Sequence, residues 1–256
     1  MNLIGTEFED GVLTITLRDE ENRNALSAEL TSELSQTLDE AESNSEVRVI
    51  VLTNSGRVFC AGADLSERSS RKKNTSETKP VDPLEIFSRF RKSSKPYIGK
   101  ITGHCVAGGM GIAAAMDISI AIEEAKFGFT EVRIGVAPAM ISVLCLPKMR
   151  SAEASEAFLR GNRFSAAEAA RMGLINAAVP ANEIDSAVQE VVSDIKAGGP
   201  EAIAAAKQLI LRVPQMQLDE AFNWTSELSS NLFKSEEAQE GMQAYLDKRP
   251  PSWMNE

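Results

Sequence analysis

The stretch from Val47 to Leu52 constrains this chain most, because five of its six residues are aliphatic and only Arg48 interrupts them. A strand this apolar is expected in a parallel sheet covered on both faces. Parallel strands require long crossover connections, usually helices, so the run points to an α/β fold. Earlier segments agree. Phe8-Glu9-Asp10-Gly11 reads as a hairpin turn, and Leu13, Ile15 and Leu17 alternate with Thr14 and Thr16 at the period of a half-buried strand. Ser27 is placed to cap a helix whose Leu30, Leu34, Leu38 and Ala41 fall on one stripe.

Further along, Pro83 to Ser93 suits a helix, Tyr97 to Thr102 a strand and Ile118 to Ile122 another, with a Gly- and Ala-dominated stretch over 107–115 between the strands. The polar segment from Ser66 to Asp82 predicts a long mobile loop. From Pro138 onward the pattern turns helical. Ser165-Ala166-Ala167-Glu168 is a capping box and Gly173 suits the position after that helix. Ile184 to Ala197, Pro200 to Arg212, Gln217 to Phe233 and Glu236 to Asp247 are further helical segments. The expected architecture is a β/α core over 1–195 followed by a helical region over 196–256.

Composition excludes several function classes. A formal charge of −10 opposes nucleic-acid binding, which needs clustered cations, although local cations can still hold a small anionic ligand. The one dense basic run, Arg71-Lys72-Lys73, reads as a solvated loop. No apolar run approaches the ~18 residues of a membrane span. The first ten residues carry no leader pattern, so a cytoplasmic location without membrane attachment is expected. Cys60, Cys105 and Cys145 have no ligand spacing and read as buried thiols. His104 is the only histidine and no G-x-S-x-G elbow is present, which opposes both a multi-His metal site and a catalytic triad.

Three segments carry chemistry. Phe59-Cys60-Ala61-Gly62-Ala63-Asp64-Leu65 and Gly103 through Gly111 each run from a strand through small residues towards a helix. Such turns let backbone approach a ligand, and their free N–H groups can face an anion. Equally, the glycines can simply relieve crowding. Gly109-Met110-Gly111-Ile112-Ala113-Ala114 matches a dinucleotide fingerprint, but too few residues follow before Asp117 for the usual crossover helix. In the third segment, Phe127 through Pro138, Glu131 stands among small and apolar residues. It reads either as a proton-transfer group with a raised pKa or as the partner of Arg133 on a solvated turn.

Taken in order, Asn22-Arg23-Asn24-Ala25-Leu26, Phe59 through Asp64, Gly103 through Gly109, Phe127 through Pro138, and Glu240-Gly241-Met242 with Asp247-Lys248-Arg249 resemble the motifs of the enoyl-CoA hydratase/isomerase (crotonase) family along essentially the whole chain. The resemblance implies a spiral of ββα units with C-terminal helices that build a homotrimer or homohexamer. It implies an acyl-CoA thioester substrate whose coenzyme A is part of the substrate, with no separate cofactor. The backbone N–H groups of Ala63 and Gly108 would form the oxyanion hole, and Ala61 would lie against the adenine. Asp64 and Leu65 would belong to the same binding turn, and Arg23 and Lys248 would be phosphate contacts.

One departure matters. Glu131 matches the second of the family's two usual glutamates, but the first falls on Gly111. Asp64, Glu67 and Glu85 are the nearby carboxylates whose positions the sequence does not give. One carboxylate suffices to move a proton between carbons, which suits a 3-enoyl to 2-enoyl isomerase. The Thr130-Glu131-Val132-Arg133 wording resembles bacterial hydratases and favours addition of water to a 2-enoyl-CoA. A non-catalytic acyl-CoA binder is the third reading. The segments Ser66 to Asp82 and Ala139 to Leu146 are expected to line the acyl pocket.

Overall fold

The computed structural model of the protein describes residues 2–69 and 81–254. The chain opens with a hairpin of β1 (Ile4–Glu9) and β2 (Val12–Leu17), in which Glu9 pairs with Val12. Asp10 and Gly11 both have positive φ, as a two-residue turn matched to strand twist requires. Helix α1 (Ala28–Ser43) follows, with the Ser27 side chain accepting from Leu30 N–H and the expected leucine stripe buried.

Three strand pairs then repeat one plan. They are β3 (Val49–Asn54) with β4 (Val58–Cys60), leading to α2 (Leu65–Ser69) and α3 (Pro83–Lys92); β5 (Tyr97–Ile101) with β6 (His104–Val106), leading to α4 (Gly108–Ala115); and β7 (Ile118–Ile122) with β8 (Lys126–Gly128), leading to a 3-10 helix (Thr130–Ile134) and α5 (Ala139–Cys145). The first strand of each pair enters a six-stranded sheet, ordered β1-β2-β3-β5-β7 and closed by β10 (Ala177–Val179). The second enters a four-stranded sheet, ordered β4-β6-β8 and closed by β9 (Phe164–Ser165). Each ββα unit thus advances one strand in both sheets, which is the expected spiral. It also aligns β4 beside β6 with Cys60 opposite Cys105, so the turns leaving these strands emerge side by side.

The apolar run explains the layering. Ile50 and Leu52 of β3 face the larger core with α1, while Val49 and Val51 face a second core completed by Ile184, Val188 and Val192 of α8 (Ile184–Ala197). Between α5 and α8 lie α6 (Ser151–Arg160) and α7 (Ala166–Arg171). The predicted capping box starts α7, and Gly173 follows it with φ +85°. The chain ends with α9 (Pro200–Arg212), α10 (Leu218–Leu232) and α11 (Glu236–Asp247).

Two expectations need adjustment. The strand foreseen from Val47 begins at Val49, because Val47 N–H is still engaged in the turn after α1, donating to the Asn44 carbonyl at 3.2 Å. Of the polar segment expected as a mobile loop, residues 66–69 belong to α2 and residues 70–80, including Arg71, Lys72 and Lys73, lie outside the described residues. Among the described residues no helix is long and apolar enough to cross a membrane.

Candidate active site

The first small-residue turn is held from below by the segment that precedes α1. Ala61 N–H donates to the Arg23 carbonyl at 3.1 Å and Leu26 N–H donates to the Gly62 carbonyl at 2.7 Å. Arg23 and Asn24 both take left-handed backbone, and the buried Asn24 amide donates to the Val58 carbonyl at 2.7 Å. Asn22 donates to Asp64 Oδ2 at 2.8 Å. Asp64 Oδ1 accepts from the Ser66 N–H and hydroxyl, so this carboxylate caps α2. Burial pushes the Asp64 carboxyl up, but hydrogen bonds from Ser66, Asn22 and the Glu67 backbone outweigh it and keep the group below its usual range.

The second turn rests on one strained residue. Ala107 has φ +50° and ψ −124°, a conformation that suits glycine. Its N–H donates to Gly128 and its carbonyl accepts from Met110 N–H, which fixes the peptide leading into Gly108. The two turns touch backbone to backbone. A Cβ on Gly62 would stand 2.7 Å from both Ala107 Cβ and Gly108 N, and one on Gly108 would stand 3.6 Å from Ala63 N. Neither the Ala63 nor the Gly108 N–H has a protein acceptor among the described residues. Two adjacent free donors, one at the start of α4, suit an oxygen that gains negative charge.

Glu131 sits in the 3-10 helix after β8. Its Oε2 is buried with no hydrogen-bond partner among the described residues. Burial raises its pKa above the ordinary 4.5, with its own backbone N–H pulling the other way. The ion pair with Arg133 does not form, because the Arg133 guanidinium donates to the Arg160 carbonyl at 2.8 Å. An unpaired carboxylate with a raised pKa has the properties of a proton-transfer group.

No described carboxylate replaces the one absent at Gly111. Asp64 caps α2, Glu67 accepts from Ala28 N–H with both oxygens at 3.1 Å, and Glu85 is exposed on α3. Ala61 is half-buried beside Arg23, whose side chain is exposed, and Leu65 is exposed at the start of α2. Lys248 is not joined to these turns by any contact among the described residues. It caps the C-terminus of α11, whose Gly241 packs near Trp253. His104 lies at the opposite end of β6 from the Gly108 turn, accepting from Lys126 N–H at 3.2 Å. The three cysteines are buried free thiols, and burial pushes Cys60 and Cys145 up to about 12. No group of residues suited to a metal ion occurs among the described residues.

The floor of the first turn is built by the 22–26 segment, to which the sequence assigned a family-like motif and a phosphate contact at Arg23 but no role in holding the turn. Asn22, Asn24 and Leu26 fasten the turn, and Leu26 Cδ1 would stand 3.2 Å from a Cβ at Gly108. The available signal was the asparagine pair, a residue type that tolerates left-handed backbone and bonds local carbonyls.

The chain resembles known proteins along nearly its whole length. The chain is 31% identical to a short-chain-enoyl-CoA hydratase of Clostridium acetobutylicum, covering 97% of this chain and 96% of that protein. It is 32% identical to an enoyl-CoA hydratase of Mycobacterium tuberculosis, covering 95% and 93% of the two chains. Among solved structures, an enoyl-CoA hydratase from Bacillus anthracis superposes with a TM-score of 0.90 at 29% identity, covering 99% of this chain and 100% of the other. One from Mycobacterium smegmatis gives 0.91 at 27% identity over the same shares. The family model for enoyl-CoA hydratase/isomerase matches residues 7–256, so the chain belongs to that family.

Proposed function

We infer that the protein is a lyase that adds water across the 2,3 double bond of an enoyl-CoA thioester. The observation that carries this reading is the contact of the two turns, which leaves the Ala63 and Gly108 N–H groups adjacent and without acceptors among the described residues. The thioester oxygen would accept from both donors, which stabilises the enolate formed when water attacks C3. Removing one such donor costs about 3 kcal/mol in well-studied cases. Glu131 takes a proton from the attacking water and delivers it to C2, so the carboxylate is regenerated in each turnover. Its buried, unpartnered oxygen supports this role. Relatives named as enoyl-CoA hydratases support the choice of reaction.

Coenzyme A enters as part of the substrate, with Ala61 at the adenine and Arg23 near the phosphates. Lys248, at the C-terminus of α11, would be a further phosphate contact. The exposed Leu218, Phe222 and Phe233 support assembly into a homotrimer or homohexamer. The absence of a side chain at Gly111 favours a second reading, 3-enoyl to 2-enoyl isomerisation by Glu131 alone. Incubation with crotonyl-CoA decides between them: loss of the conjugated thioester with a product one water heavier supports hydration. Turnover of a 3-enoyl-CoA alone, with deuterium uptake from deuterated water, supports isomerisation.

A further inference from the structure

Gly111, where the family resemblance would place the first glutamate, is closed by hydrocarbon. Gly111 is fully buried in α4, and a Cβ added to it would stand 2.5 Å from Ile141 Cγ2, 3.2 Å from Ile141 Cβ and 3.1 Å from Phe87 Cζ. Ile141 and Phe87 are themselves 3% and 2% exposed, on α5 and α3. A β-branched side chain has few rotamers, so Ile141 cannot readily swing aside. One turn along the same helix, the Cys145 thiol donates to the Met110 carbonyl at 3.8 Å and holds α5 against α4. The 3-10 helix that carries Glu131 runs on into α5, and the Glu131 carbonyl accepts from Val136 N–H at 3.2 Å just before that helix begins.

We propose that Ile141, backed by Phe87, is a specificity-determining residue that fills the place of the first glutamate, missing at Gly111, and leaves Glu131 to handle the whole proton transfer. The proposal rests on the hydration reading. In that reaction a water O–H bond breaks, oxygen bonds to C3, and the proton travels through Glu131 to form the C2–H bond. With Ile141 and Phe87 in that place, no second carboxylate among the described residues shares the work. Gly111 and Ile141 are therefore a coupled pair, and changing one alone is unproductive.

The test compares the wild-type chain with G111E, I141A and the G111E/I141A double variant. Thermal unfolding, hydration kcat and KM, and the pH profile of kcat are measured for each. G111E alone should lose at least about 4 °C in Tm or fail to fold, because overpacking a core is destabilising. The double variant should regain at least half of any Tm loss. Its hydration kcat should exceed that of I141A by about tenfold or more. Its pH profile should gain a second ionisation, as two carboxylates in one site titrate apart. If G111E folds with the wild-type Tm, or the double variant matches I141A in kcat and pH profile, the proposal is overturned. Lack of wild-type turnover on any 2-enoyl-CoA would end the hydration reading itself. Rescue of G111E by I141A in Tm would then still show that the two positions share one space.

Discussion

Ala107 and Glu131 both hold conformations or charges that folding alone would not select. Ala107 keeps a glycine-like backbone that costs about 1–3 kcal/mol for a residue with a Cβ. Glycine there would lose somewhat more chain entropy, about 0.5–1 kcal/mol. Ala107→Gly should therefore stabilise the protein by about 1 kcal/mol, read as a rise of about 2–4 °C in thermal unfolding. A drop in Tm would show that the Ala107 methyl, packed near Gly62, matters more than the strain. Glu131 is the opposite case, a charge placed where burial disfavours it. Its folded pKa lies above 4.5, so its contribution to stability falls as pH rises through that window and remains a cost at higher pH. Glu131→Gln should raise Tm at pH 8, with the gain vanishing below pH 4.5. The same variant should lower kcat by about 10²–10⁴. If Glu131 acts as the base, wild-type kcat/KM must fall on the acid side with a midpoint above 4.5. A profile flat down to that value would remove the residue from the mechanism.

Among the elements, α9 is tied to the β/α core by one buried cation. Lys207 Nζ donates to the Phe90 carbonyl at 3.2 Å, the Lys95 carbonyl at 2.6 Å and Asp117 Oδ2 at 2.7 Å. Asp117 Oδ2 also accepts from Tyr97 N–H, so a single pair joins α3, β5 and α9 at the residue just before β7. Burial lowers the Lys207 pKa, while Asp117 acts to raise it. Lys207→Met should cost about 3 kcal/mol, because it leaves Asp117 and two carbonyls without their donor. Chemical denaturation should show it as a lower midpoint with unchanged slope. The helix itself is legible from its period and from Pro200 at its start. That its one buried lysine, rather than its apolar stripe alone, secures it to the core is not. Lysine is almost always exposed, so nothing local marks this one.

For the molecule as a whole, the exposed face of α10 is the feature that folding of one chain leaves open. Leu218 is 69% exposed and Phe222 66%, with Phe233 at 64% just beyond the helix. Aspartate at both Leu218 and Phe222 should shift the solution mass towards the monomer while the circular dichroism spectrum is retained. Light scattering decides it, and an unchanged mass would assign assembly to another surface.

The sequence by itself determined the class of fold and the kind of site, because both are written in local patterns. The apolar run entering β3, the Ser165–Glu168 capping box and the small residues after β4 and β6 each act within a few residues of their own position. Glu131 was also legible as a carboxylate in apolar company, but not whether it pairs with Arg133. Only the tertiary structure showed that this pair is not made, by turning Arg133 to the Arg160 carbonyl, 27 residues away. It alone brought the two turns into contact, since Gly62 and Gly108 meet only through the pairing of β4 with β6. It alone showed that the space beside Gly111 is filled by Ile141 and Phe87 from two other helices. A sequence can show that a side chain is missing, but what occupies its volume is set by packing between distant elements.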